Sequence, residues 1–88
     1  MQFRYRKSFT KSVENLMPKI QVKARNTLVS FTKNPFDPEL RNHKLNGKWL
    51  GCNSIDVTWD IRIIFCELSD GRYELIELIK VGSHSQLY

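Results

Sequence analysis

The chain opens on alternation. In residues 2–7, Phe3 and Tyr5 point one way and Arg4 and Arg6 the other, the period-two pattern of a half-buried strand. The period then lengthens. Phe9, Val13, Leu16 and Met17 stand at i, i+4, i+7 and i+8, one stripe of a helix, and Pro18 ends that helix and opens the next as its first residue. Ile20, Ala24, Leu28 and Phe31 form the stripe of the second, with Lys19, Lys23 and Arg25 off it. Residues 8–33 therefore predict a helical hairpin whose two stripes are core. The two prolines of NPFDPEL (34–40) predict an ordered loop. After RNHKLNGKWLG come three strand signals: SIDVT (54–58), IRIIFCEL (61–68) and RYELIELIKV (72–81), the last two parted by a turn at Ser69-Asp70-Gly71. The last strand is apolar on both faces, which predicts a central strand covered on both sides. The order is β-α-α-β-β-β, an α+β fold in which a helical hairpin packs on a small, mainly antiparallel sheet. Residues 1–88 read as one domain, with no repeat and no low-complexity segment.

Parity sets the register of the first hairpin. Directly paired residues of antiparallel strands share a face. Ile55 and Val57 join Ile61 and Ile63 in the core only if 57 pairs with 61 and 55 with 63, which leaves Thr58-Trp59-Asp60 as a three-residue loop. A two-residue loop would bury Arg62 opposite Ile55. The odd loop places Asp56 opposite Arg62 on the polar face. There the two form a cross-strand ion pair and nothing more, or Arg62 belongs to a working surface that holds a phosphate.

Charge sharpens this choice. The formal net charge is +5, and it is uneven. Residues 1–48 carry eleven Lys/Arg against three Asp/Glu, a net +8, whereas residues 49–88 carry three against six, a net −3. A basic half on a small domain points to phosphate or to an acidic protein partner. Eighty-eight residues build one small core with little room for a deep pocket. No apolar run approaches the roughly 20 residues that span a bilayer, and the charged N-terminus has no apolar signal-peptide core, so no membrane association is expected and the cytoplasm is. Cys52 and Cys66 are too few for a disulfide framework or a zinc site of usual spacing. Both lie in strand-like text and are expected as free, reduced, buried thiols.

The candidate chemistry is sparse. There is no glycine-rich phosphate loop, HExxH, CxxC or GxSxG, and neither a metal nor a cofactor is expected. His43 and His84 are the only side chains whose ordinary titration falls near neutrality. Both fall at the edges of the predicted sheet, among Lys44, Arg62, Lys80 and Asp60. Histidine with cations suits RNA cleavage: a base draws the proton from the ribose 2′-OH, an acid protonates the departing 5′-oxygen, and cations stabilise the phosphorane. Such attack leaves a 2′,3′-cyclic phosphate.

Three segments, HKLNGKWLG (43–51), SIDVTWDIRIIF (54–65) and VGSHSQLY (81–88), resemble the RelE/ParE superfamily of bacterial toxins, and most nearly its YafQ-like mRNA interferases. The resemblance covers the whole chain. Its most specific segment is the last, in which glycine is followed by Ser-His-Ser and a terminal aromatic. It implies the RelE-like fold, ribosome-dependent cleavage of mRNA on the rRNA surface, and a cognate antitoxin in a toxin–antitoxin hetero-oligomer. It implies His84 as the principal catalytic histidine, with His43 and Asp60 as its catalytic companions and Tyr88 as the terminal aromatic. Arg62, Lys80, Lys44, Tyr88 and Asp56 are then expected to contact RNA. Three positions depart from the pattern. Asp56 stands where related branches carry histidine or lysine, Ile61 replaces a tryptophan although Trp59 lies nearby, and Lys80 replaces an arginine. Asp56 either restrains Arg62 and repels RNA or is itself the general base. Gly82 is expected to let the chain turn off the last strand. Tyr88 is expected to stack on a base or position the scissile nucleotide, or else to plug the core. Two rival readings share the fold: a ParE-like toxin that inhibits gyrase by binding, and a weakened toxin retained as an antitoxin-binding module.

Overall fold

Pro18 does what its position predicts. In the computed structural model, which describes all 88 residues, it is the first residue of α2 (Pro18–Lys33), and α1 (Lys7–Glu14) ends just before it. The strands are β1 (Gln2–Tyr5), β2 (His43–Lys44), β3 (Asn53–Asp56), β4 (Ile61–Glu67) and β5 (Leu75–Ser83), and a last helical turn, α3 (His84–Leu87), follows β5 directly. The sheet order is β1-β5-β4-β3-β2. Only the β1–β5 pair is parallel. Short 3₁₀ turns at Pro38–Leu40 and Gly47–Trp49 punctuate the connection between α2 and β3. No helix is long and apolar enough to cross a membrane.

β5 is central, as its two apolar faces predict. One face, with its neighbours on β3 and β4, supplies Ile55, Ile63, Phe65, Ile76, Leu78 and Val81 to a core closed by Phe9 of α1 and Phe31 of α2. The other face buries Ile64 and Ile79 under Leu45 and Leu87 in a smaller cluster. The predicted register holds: Ile55 pairs with Ile63 and Asp56 with Arg62, and the Val57 N–H donates to the Ile61 carbonyl across the three-residue loop. β1 stops at Tyr5, opposite Leu78. Beyond it the open edge of β5 is satisfied by α1, whose Ser8 hydroxyl donates to the Ile79 carbonyl (2.6 Å) while Ser12 Oγ accepts from the Val81 N–H (3.0 Å).

Several expectations need correction. Met17 is not on the buried stripe; it is the exposed residue that precedes α2, because the first helix ends at Glu14 and the chain must turn before Pro18. Tyr5 shares the face of Phe3 yet is exposed; it is the last residue of the edge strand β1, where its ring meets the Phe9 ring at the margin of the core. The last strand begins at Leu75 instead of Arg72, with Tyr73 in the left-handed region (φ +56°) as part of a longer turn. That turn is organised by Glu67, whose carboxylate accepts the backbone N–H groups of Ser69, Gly71 and Tyr73 and the Ser69 hydroxyl. Partial burial alone would push this carboxyl up; the Ser69 hydroxyl and the three backbone donors outweigh it and hold the group below its ordinary range.

The largest correction concerns sulfur. Cys52 and Cys66 are joined in a disulfide and no free cysteine remains. The register that pairs 55 with 63 and 53 with 65 also sets 52 opposite 66, so the two side chains meet across β3 and β4 with a Cα separation of 4.4 Å. The pair packs on the smaller cluster, beside Trp49.

Candidate active site at the end of the central strand

The site begins with a glycine. Gly82 is not a turn residue: it lies inside β5, is buried, and has no positive φ. Its missing side chain admits the returning α3, since a Cβ there would stand 2.8 Å from Gln86 Oε1 and 3.3 Å from Gln86 Cβ. Ser83 then caps α3 reciprocally. Its hydroxyl accepts from the Gln86 N–H while Gln86 Oε1 accepts from the Ser83 N–H. Leu87 is fully buried, and its carbonyl takes the indole N–H of Trp49 at 2.9 Å. A four-residue turn with these four constraints presents His84 in one place.

His84 is exposed, and its Nδ1 lies 3.3 Å from Arg62 Nη1. A guanidinium can only donate, so Nδ1 accepts, the neutral ring carries its proton on Nε2, and that nitrogen is the one left for a ligand. Asp60 Oδ1 accepts the His84 backbone N–H at 3.4 Å, tying the hairpin loop to α3. The Tyr88 ring packs on the His84 ring with centroids 4.7 Å apart. Tyr88 is partly exposed and does not plug the core; Leu87, one residue earlier, does.

Asp56 joins two arginines. Its carboxylate stands 3.4 Å from Arg62 Nε and 3.5 Å from Arg41 Nη1. The Arg62 pairing is one of charge only, because the buried Nε–H has no hydrogen-bond acceptor. Arg41 is in the left-handed region (φ 50°) at the end of the first 3₁₀ turn. Its carbonyl accepts from His43 Nδ1 at 2.7 Å, and His43 Nε2 accepts from the buried Ser54 hydroxyl at 3.3 Å. β2 lies two strand spacings, roughly 10 Å, from β4. His43 therefore does not touch His84; it is linked to it through Arg41, Asp56 and Arg62.

Five of the eight expected residues, His84, Arg62, Asp60, Asp56 and Tyr88, thus form one connected cluster, with His43 at its far end. Lys44 and Lys80 are elsewhere. Lys44 is exposed on β2 and lines a shallow cleft with Asn46, Leu50 and Cys52; Lys80 lines another with Ser12, Asn15 and Gln86. Sequence reasoning missed Arg41, Ser54 and Trp49. Ser54 was within reach, because it lies on the same face as Asp56, and Trp49 stands inside the HKLNGKWLG segment although no role was read for it; nothing local marked Arg41. No group of three or more His, Cys, Asp or Glu residues is arranged to hold a metal ion.

Comparison with known proteins gives this geometry its context. The whole chain, residues 1–88, matches the family described as the bacterial toxin of type II toxin-antitoxin systems, YafQ, and belongs to it. No curated protein matches the sequence. Among solved structures the chain is similar to YafQ from E. coli strain BL21(DE3), at 21% identity over 99% of this chain and 97% of that one, with a TM-score of 0.80. It is similar to a chain of the E. coli DinJ-YafQ toxin-antitoxin complex, at 23% identity, 99% and 96% coverage and a TM-score of 0.70. It is also similar to the YoeB/ParE toxin of Agrobacterium tumefaciens, at 18% identity, 96% and 99% coverage and a TM-score of 0.75. The fold is that of the YafQ, YoeB and RelE-like toxins.

Proposed function

We propose that this toxin is a ribosome-dependent mRNA endoribonuclease working by acid–base catalysis in the cytoplasm, and that a cognate antitoxin neutralises it. The observation that carries the reading is the His84 ring held between Arg62 and Tyr88 on a fixed turn. A base removes the 2′-OH proton, the 2′-oxygen attacks phosphorus, and the bond to the 5′-oxygen breaks. To give a proton to that leaving oxygen, His84 takes the imidazolium form, in which Nδ1 no longer accepts from Arg62 and the guanidinium turns to the phosphate. Arg62 and Arg41 take the charge that gathers on the phosphorane. Asp60 keeps α3 against the hairpin. Tyr88 stacks on a base, and Lys44 and Lys80, in clefts apart from the His84 cluster, contact the RNA backbone where it runs beyond the centre. The base is Asp56, or His43, whose Nδ1–H is given to a carbonyl and whose Nε2 lone pair passes from the Ser54 hydroxyl to the 2′-OH. The antitoxin covers the basic face and the His84 end with an acidic segment that folds on binding.

Asp56 favours a second reading, the weakened toxin. An anion that occupies both arginines of the centre lowers their attraction for phosphate.

Ribosome binding tests the RNA-directed surface. With eleven Lys/Arg in residues 1–48, several phosphates are expected to be neutralised on docking. Six or more such contacts predict a loss of about 10³-fold or more in affinity for 70S ribosomes between about 50 and 200 mM salt. Affinity that does not change over that range contradicts docking on rRNA.

A further inference from the structure

Trp59 is used by neither the core nor the His84 cluster. It is the middle residue of the β3–β4 loop and is 89% exposed, more than any other large apolar side chain of the chain. Its backbone is nevertheless held. Thr58 Oγ1 accepts from the N–H groups of Asp60 (3.3 Å) and Ile61 (3.0 Å), and the Val57 and Thr58 N–H groups both donate to the Ile61 carbonyl (2.8 and 3.1 Å). The next residue, Asp60, accepts the His84 backbone N–H. An indole with no protein partner is therefore displayed from a rigid loop one residue away from the contact with His84.

We propose that Trp59 is a stacking platform for a nucleobase next to the bond cleaved at His84. The inference rests on the endoribonuclease reading and adds a substrate-binding residue to it. The flanking residues, Thr58 and Asp60, are polar, so the tip is not the contiguous apolar area that a protein interface needs. A nucleobase needs only a π-face, and every base has one. Tyr88 already packs on the His84 ring from α3. Trp59 supplies a second aromatic from the hairpin side. Two platforms beside one catalytic group suit single-stranded RNA whose bases are unstacked from each other and splayed onto aromatic rings, with the ribose and phosphate between them.

The test is single-turnover cleavage on ribosomes programmed with a short mRNA. The nucleotides flanking the cleaved bond are replaced one at a time by abasic ones, with wild type, Trp59→Ala and Trp59→Phe compared. On the intact mRNA, Trp59→Ala is expected to lower kcat/KM by roughly 5- to 150-fold, the worth of one base stack by alanine substitution. Trp59→Phe retains most of the rate. At one flanking position the abasic mRNA slows wild type by a similar factor and leaves Trp59→Ala unchanged, because the stack is already gone. Equal cleavage by wild type and Trp59→Ala overturns the stacking role while leaving the nuclease reading intact. Slower cleavage by Trp59→Ala with an undiminished abasic penalty also overturns it, and assigns the indole to a contact with the ribosome. No cleavage by wild type overturns the nuclease reading itself, and the stacking role with it.

Discussion

His84→Gln is expected to lower single-turnover cleavage of ribosome-bound mRNA by about 10²- to 10⁴-fold, the usual worth of general acid–base catalysis. The substitution is chosen by geometry. The glutamine side-chain oxygen can accept from Arg62 as His84 Nδ1 does, so the guanidinium keeps a partner. α3 is held by the Ser83–Gln86 capping box, by Leu87 in the core and by Trp49 on the Leu87 carbonyl, none of which involves the imidazole. Folding, ribosome binding and antitoxin binding should therefore match wild type, and the lost rate then reports the imidazole's proton transfer together with its support of the Tyr88 ring. In cells the variant is expected to be non-toxic. Full cleavage by His84→Gln removes the imidazole from catalysis. Full toxicity accompanied by a DNA-damage response, without an arrest of translation, moves the protein to the gyrase-binding class.

Asp56→His and Asp56→Lys carry the second large effect. Asp56 faces Arg62 across β3 and β4 and reaches Arg41 as well, so it compensates both cations of the centre. Its removal frees them. An arginine released to a phosphate oxygen gains a charge-assisted hydrogen bond of about 1.5 kcal/mol or more, roughly tenfold in rate if the contact is made in the transition state. Cleavage equal to wild type or up to about tenfold faster is expected from both variants. Asp56→Lys should also melt at a lower temperature, since it sets three cations together where one anion stood. The opposite result has its own meaning. Loss of about 10²-fold or more in both variants, with fold and ribosome binding unchanged, makes Asp56 the general base in place of His43.

Much of this geometry could be read before any coordinates, and the reason is periodicity. A strand's side chains alternate, so the need to bury Ile55, Val57, Ile61 and Ile63 together left one register, and that register put Asp56 on Arg62. The same reasoning, carried four residues further along each strand, places Cys52 on Cys66. The expectation of free thiols rested on how few they are, when the pairing told more. Gly82 shows the opposite limit. Glycine signals a turn locally, but here it makes room for Gln86, a requirement set by how α3 folds back and visible only once α3 is placed. Met17 and Tyr5 fit apolar stripes and are exposed, because periodicity shows neither that the first helix ends before Met17 nor that Tyr5 closes an edge strand. Arg41 acts through a contact with a distant residue, Asp56, and leaves no local pattern; Trp49 stands inside HKLNGKWLG, but its bond to the Leu87 carbonyl is visible only once α3 is placed. Lys44 and Lys80 were grouped with the histidines by their position at strand ends, yet the sheet carries them to other clefts.

The chemistry of the cut ends is the most direct test of the catalytic centre. Wild-type protein is incubated with 70S ribosomes programmed with a defined mRNA, and the termini of both fragments are determined by mass spectrometry. Attack by the 2′-oxygen, with proton transfer through His84, predicts a 2′,3′-cyclic phosphate on the upstream fragment and a 5′-hydroxyl on the downstream one. It also predicts no cleavage when the ribose at the cut carries no 2′-OH. A 3′-hydroxyl with a 5′-phosphate, or undiminished cleavage at the 2′-deoxy position, would contradict it.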